Sequence, residues 1–182
     1  MFETSRQPDP LLFAAKIILR VTLIIILIAK IAMFGGVIWI GIMSITDPAA
    51  LAAQFGAMFS KATPRQVVAA LAMMTGAALL FLVLTHRFLR HLLDMVLSVE
   101  QGDPFIAENA DRLTRMAWLT LAMQALAIAG RVGYSWMVTL SDKAPQDYDL
   151  SLSGILLALL LFILARVFRE GALMRRELEG TI

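Results

Sequence analysis

The sequence predicts an all-α, polytopic membrane protein: four transmembrane helices, a cytoplasmic helical hairpin and a helical C-terminal tail. Three observations carry that expectation. The 182 residues are 59% hydrophobic with a mean hydropathy of +0.78, against roughly 45–50% apolar in an ordinary soluble domain. A soluble chain of this size could not hide so much apolar surface from water. Four stretches, about 26–45, 67–84, 116–137 and 150–167, match the roughly 20 apolar residues needed to cross a hydrocarbon core about 30 Å thick. The basic residues between these stretches fall mostly on one side. A net charge of +2 is too small to argue for nucleic acid, and without any cysteine the chain has no disulfide, thiolate nucleophile or thiolate metal site.

The first span has an amphipathic lead-in with Lys16 and Arg20. It does not read as a cleaved signal, because the run Val21–Ala29 meets Lys30 and then continues apolar instead of ending at a small-residue cleavage site. Lys30 lies about one turn inside the span and leans toward the helix N-terminus, so its ammonium can reach the interface. After this span, Asp47-Pro48 supplies an N-cap carboxylate and a proline at the first helical position, which predicts a short outer helix from Ala49 to about Ser60. Thr63-Pro64-Arg65-Gln66 repeats the signal as a capping box ahead of the second span.

Beyond Leu84 the helical pattern continues through Thr85–Val99 to a stop at Gly102, and Asp103-Pro104 predicts the start of the next helix. Arg90–Asp94, Glu108–Arg112 and Asp111–Arg115 are spaced to pair along their own helices. The segment 85–115 therefore reads as a helical hairpin leading into the third span. A short polar loop around Pro145 precedes the fourth span, whose helix continues into the tail 168–182 with Gly171 as a hinge. The whole of 1–182 reads as one membrane domain.

Arg6, Lys16, Arg20, Arg87, Arg90, Arg112, Arg115, Arg166, Arg169, Arg175 and Arg176 fall on one side, against Lys61, Arg65, Lys143 and Arg131 on the other. By the positive-inside rule both termini are expected in the cytoplasm. Trp39, Tyr134 and Trp136 then sit near the outer interface and Trp118 near the inner one, where amphipathic rings prefer to lie.

The hairpin residues Gly102, Asp103, Pro104, Phe105, Asn109, Arg112 and Leu113 carry a family resemblance. So do Val167-Phe168-Arg169-Glu170-Gly171, Glu177, Thr181 and Ile182 in the tail. On these residues the chain resembles a bacterial membrane family known only as domain-of-unknown-function family 2975. The resemblance implies a four-span protein of the bacterial inner membrane and brings no established activity. It also implies a partner, since members are often encoded beside a small helix-turn-helix regulator.

None of the 14 acidic residues lies in the four stretches, which argues against a proton- or cation-coupled carrier, because such carriers commonly keep carboxylates at membrane depth. His86 and His91 are about 140° apart on a helix and poorly placed to share a metal. No metalloprotease, phosphate-loop, nucleophile-elbow or dinucleotide motif is present. The expectation is a non-enzymatic protein with no catalytic residues, no cofactor and no metal. Two readings remain open. In the first, the hairpin residues Gly102, Asp103, Pro104, Phe105, Asn109 and Arg112 form a cytoplasmic docking motif for a protein partner, with Phe105 either presented outward or folded back on neighbouring helices.

The second reading uses the third span, where Thr120, Gln124, Arg131 and Ser135 fall within about 60° of one another. That stripe either supplies interhelical hydrogen bonds or lines a polar cavity of a small channel or transporter subunit, alone or as a homo-oligomer. On the opposite face, Ala125, Ala129 and Gly133 form a small-residue repeat suited to close helix contact, with Ala72 and Gly76, and Ala32 and Gly36, as matching patches. Beyond the bilayer itself, the expected partners are thus a cytoplasmic protein or a second copy, without direct nucleic acid. Arg131 lies about 9 Å from the outer end of its span. If the stripe lines a cavity, Arg131→Leu abolishes anion flux in reconstituted vesicles while the protein still folds; unchanged flux removes the cavity reading.

Overall fold

In the computed structural model, residues 10–56, 58–140 and 152–179 are described. They form five helices: α1 (Pro10–Thr46), α2 (Pro48–Gln54), α3 (Pro64–Glu100), α4 (Ala107–Thr139) and α5 (Ser153–Glu179). The all-α expectation holds. The loop around Pro145, the start of the fourth stretch at Leu150, and Arg6, Lys143, Thr181 and Ile182 lie outside the described residues.

Three helices, α1, α3 and α4, are long and apolar enough to cross a membrane. The 37 residues of α1 extend about 55 Å at 1.5 Å per residue, well beyond a hydrocarbon core. Its large apolar side chains are exposed along its length, among them Ile18, Ile25, Ile28, Ile31 and Ile38. That distribution suits a helix whose solvent is lipid. In α5 the uncharged stretch among the described residues runs from Ser153 to Ala165, after which Arg166, Arg169 and Glu170 follow in quick succession.

The chain divides into two compact units. One comprises Leu27–Leu84 and Ala122–Leu152. Its core gathers Ile40 of α1, Leu51 of α2, Phe59, Val67, Ala70 and Leu71 around the α3 start, and Leu140. The caps behave as their residue types dictate. Asp47 accepts the Ala50 N–H at 2.9 Å and is followed by Pro48 at the helix start. Gln66 Oε1 accepts the Thr63 N–H at 2.9 Å, one arm of the expected capping box. α2 is shorter than the sequence predicts, ending at Gln54 rather than near Ser60. Past Gly56 the chain turns instead, which buries Phe59 against Leu51 and Val67, and the Lys61 N–H donates to the Leu140 carbonyl at 3.1 Å.

The small-residue patches are used only in part. A Cβ built at Gly133 would lie 2.9 Å from Met73 Cε, so α3 and α4 do pack closely there. Gly36 and Gly76 face open space, and Ala125 and Ala129 are exposed. Small side chains permit close approach but do not compel it, so these notches remain unfilled within the single chain.

The other unit comprises Met1–Ile26, Thr85–Leu121 and Ser153–Ile182. Leu113, Met116 and Ala117 of α4 pack on Leu161 and Ala165 of α5, flanked by Phe88, Leu92 and Met95 of α3. Trp118 meets Phe162 edge-on at 5.6 Å. Lys16 of α1 reaches Glu100 at the end of α3, N–O 2.5 Å. α5 passes through Gly171 without interruption, so Gly171 is not a hinge in this structure.

Candidate functional site

The turn between α3 and α4 begins with a glycine that the backbone requires. Gly102 has φ 85°, a left-handed conformation that costs a residue with a Cβ but not glycine. Its N–H donates to Val99 O at 3.0 Å, and the Asp103 N–H donates to Ser98 O at 3.1 Å. These two bonds close the last turn of α3 in the usual glycine-capped manner.

α4 does not start at Asp103-Pro104 as its sequence suggests; its first residue is Ala107. Asp103 is committed elsewhere, to an ion pair with Arg175 of α5. The Pro104 carbonyl accepts from the Asn109 side-chain amide at 2.9 Å. The same Asp-Pro dipeptide that caps α2 therefore serves a tertiary contact here.

Asn109 is fully buried and organises the turn. Its Nδ2 donates to Ser98 Oγ at 2.6 Å as well as to Pro104 O, and its Oδ1 accepts from Arg112 Nη1 at 2.7 Å. Ser98 Oγ in turn donates to Met95 O at 2.7 Å. The orientation of the amide follows from chemistry, because a backbone carbonyl only accepts and a guanidinium only donates. An aspartate at this position would set a carboxylate oxygen against the Pro104 carbonyl. Both amide hydrogens of Asn109 and its side-chain oxygen are engaged inside the protein, and the residue is fully buried, so it shapes the turn without offering itself to a partner.

The expected charge ladder along α4 is redirected. Arg112 turns to Asn109 and, at 3.4 Å, to the Asp94 carbonyl of α3. Asp111 pairs with Arg169 of α5 at 3.3 Å. Pairs on one helix surface are worth only a few tenths of a kcal/mol, so contacts between helices readily take over their members. His91 lies beyond the apolar stretch that ends at Leu84. Burial first, then the Arg115 charge, lower its pKa from the ordinary value; Asp94 opposes and Arg112 adds to the lowering. Near neutral pH it therefore carries less positive charge than an ordinary histidine.

Phe105 folds toward α5, as one of its two sequence readings foresaw, and also keeps 43% of its surface exposed. Its ring meets Phe168 at 5.2 Å, tilted by 41°. It also lies directly over Gly171, where a built Cβ would come within 2.9 Å of Phe105 Cδ1. Glycine inside a helix costs about 1 kcal/mol relative to alanine. The close approach of the ring is the physical reason for a glycine here, in place of the hinge role. A small open cavity of about 160 Å³ lies beside this contact, lined by Asp103, Phe105, Ile106, Glu108, Ala172 and Arg175 among others.

Gly102, Asp103, Pro104, Phe105, Asn109 and Arg112 are thus assembled in one place and joined to Phe168, Arg169 and Gly171. The two motifs that stand about 60 residues apart in the sequence meet as one joint. Arg175 and Ser98 are essential members that the sequence reading did not single out. Arg175 entered there only as one positive charge among many, and no local spacing connects either residue to its partner.

The third-span stripe is divided between the units, with Thr120 in one and Gln124, Arg131 and Ser135 in the other. Thr120 is buried and its hydroxyl donates to the Met116 carbonyl at 2.9 Å. Ser135 is exposed and donates to Val132 O at 2.9 Å. Gln124 and Arg131 are half-buried. Among the described residues, no group of three or more His, Cys, Asp or Glu could hold a metal ion.

Residues 50–182 match the family described as protein of unknown function (DUF2975), a span that contains the whole joint. No curated protein and no solved structure matches the chain.

The fit of Phe105 over Gly171 has a direct test. Gly171→Leu should destabilise the detergent-solubilised protein by about 1–3 kcal/mol, the usual cost of overpacking, read from thermal unfolding by tryptophan fluorescence. In a Phe105→Ala background the same change should be neutral or stabilising, because the helix then gains a better helix former. Equal losses in both backgrounds would show that the ring is not what demands glycine.

Proposed function

The chain belongs to the DUF2975 family, and from that premise we propose that it is a non-enzymatic inner-membrane protein that engages a protein partner through the joint of the α3–α4 turn and α5. The observation that carries this reading is the convergence of the two separated motifs on one another, with Phe105 still partly exposed beside them. The side chains at the joint are committed to structural bonds and ion pairs, with no nucleophile set against a general base. That composition favours recognition over chemistry. By resemblance, the partner is a small helix-turn-helix regulator presented at the cytoplasmic face.

The topology that goes with this reading has four spans and both termini in the cytoplasm. The bias of Lys and Arg toward the side of the chain that carries the α3–α4 hairpin and the end of α5 supports it. So does the pairing of Asp103 with Arg175, which brings the far end of α5 beside the beginning of α4. Two helices joined in that sense run in opposite directions. Arg166 ends the uncharged stretch of α5 and can extend toward headgroups.

The chain has no cysteine, so single engineered thiols report topology cleanly. In spheroplasts an impermeant maleimide should label Gln54→Cys at once, and Gln101→Cys and Leu178→Cys only after permeabilisation. Immediate labelling of Leu178→Cys would mean that α5 does not cross. For the partner, the test is photocrosslinking in living cells from Phe105 and the exposed Glu108, followed by mass spectrometry. Buried Asn109 is a poor place for a probe. One distinct cytosolic protein captured from both positions supports the docking reading. Self crosslinks alone overturn it and favour the channel-subunit alternative.

A further inference from the structure

The geometry points to a releasable electrostatic latch: the end of α5, from Arg166 onward, closes over the α3–α4 turn through ion pairs that the surrounding salt can loosen. This deepens the docking reading and rests on it, since release is what would uncover the aromatic surface for a partner.

The two parts of α5 differ in the balance of forces that holds them. Up to Ala165 the hold is apolar, with Ala158, Leu161 and Ala165 buried and Phe162 set edge-on to Trp118. Such contacts are insensitive to screening. From Arg166 to Leu178 only Ala172 is buried, and Leu173, Met174 and Leu178 are exposed. Among the contacts that fasten this part to the turn are the Asp103–Arg175 pair, the Asp111–Arg169 pair and the Phe105 ring seated over Gly171, while Phe168 at its start also packs against the apolar cluster around Leu113 and Leu161. In the Asp111–Arg169 pair the two side chains remain 62% and 57% exposed; those of the Asp103–Arg175 pair are only somewhat less so.

Exposed pairs of this kind are weak and screened over about 8 Å at physiological ionic strength. Segments with few buried contacts are also the ones that open locally. Opening leaves the turn intact, because Gly102, Ser98, Asn109 and Arg112 close it without help from α5. It releases one face of Phe105, the part of Phe168 that Phe105 covers, and the Asp103 carboxylate together. An acidic, aromatic surface is thereby offered to a partner carrying basic residues beside an apolar one.

The absence of native cysteine again makes the experiment direct. Ala107→Cys and Arg176→Cys place thiols on two walls of the cavity beside the joint, outside both ion pairs. A short membrane-permeant bismaleimide is applied to membranes carrying the full chain, so that access does not depend on topology. Raising NaCl from about 0.01 M to about 1 M shortens the screening length from about 30 Å to about 3 Å. The cross-linking rate should fall roughly fivefold, a ratio suited to two exposed pairs. Asp103→Asn with Asp111→Asn should give the lower rate at low salt and abolish the salt dependence. Exchanging the charges, Asp103→Arg with Arg175→Asp, should restore the rate and so separate loss of the latch from loss of the fold.

A rate that ignores both salt and the two asparagine substitutions overturns the latch. If photocapture finds no partner while the salt dependence holds, the latch stands and the docking reading falls. A captured partner with a salt-independent rate removes the latch alone.

Discussion

A peptide group in hydrocarbon has no water to bond with, so every N–H and C=O must find its partner within the chain. For a chain this apolar, that requirement sets the rest of the structure. It confines the apolar stretches to uninterrupted helices such as the 37 residues of α1 and of α3, and it pushes every reversal to places where polar partners can be supplied. Where hydroxyls occur inside the helices, as at Thr22, Thr75 and Thr120, they donate to carbonyls of their own helix and leave nothing unsatisfied.

The reversals answer the same requirement by different means. At the start of α2 a carboxylate takes an N–H, and at the start of α3 a glutamine does the same. The turn between α3 and α4 needs more, because it must also hold two long helices side by side. A left-handed glycine ends α3, and a buried asparagine then binds the last turn of α3, the Pro104 carbonyl and its own helix at once. Losing one partner of such a saturated buried group leaves the others desolvated without compensation, which is far costlier than losing an exposed pair.

This contrast organises the region proposed to act. The turn is held by hydrogen bonds centred on the buried Asn109 and Ser98. The end of α5 rests on that turn through exposed charges and one aromatic contact. A firm platform with a lightly fastened cover is an arrangement in which a small change in free energy moves one element while the fold remains. The family match extends over both parts.

The sequence by itself determined the helical class, three of the apolar stretches long enough to cross a membrane, the cap at Asp47, one arm of the capping box at Thr63–Gln66, and the stop at Gly102. These depend on composition, periodicity and interactions between residues at most four apart, which a linear reading contains. It also marked the two motifs as separate features. Only the tertiary structure decided that Asp103 pairs with Arg175 in place of capping a helix, that Asp111 pairs with Arg169, that α2 stops at Gln54 with Phe59 buried beside Leu51, and that Gly171 receives a ring where a hinge was expected. Each of these outcomes is a competition between a local interaction and a distant one of similar strength. The distant partner becomes available only when the helices have been placed side by side.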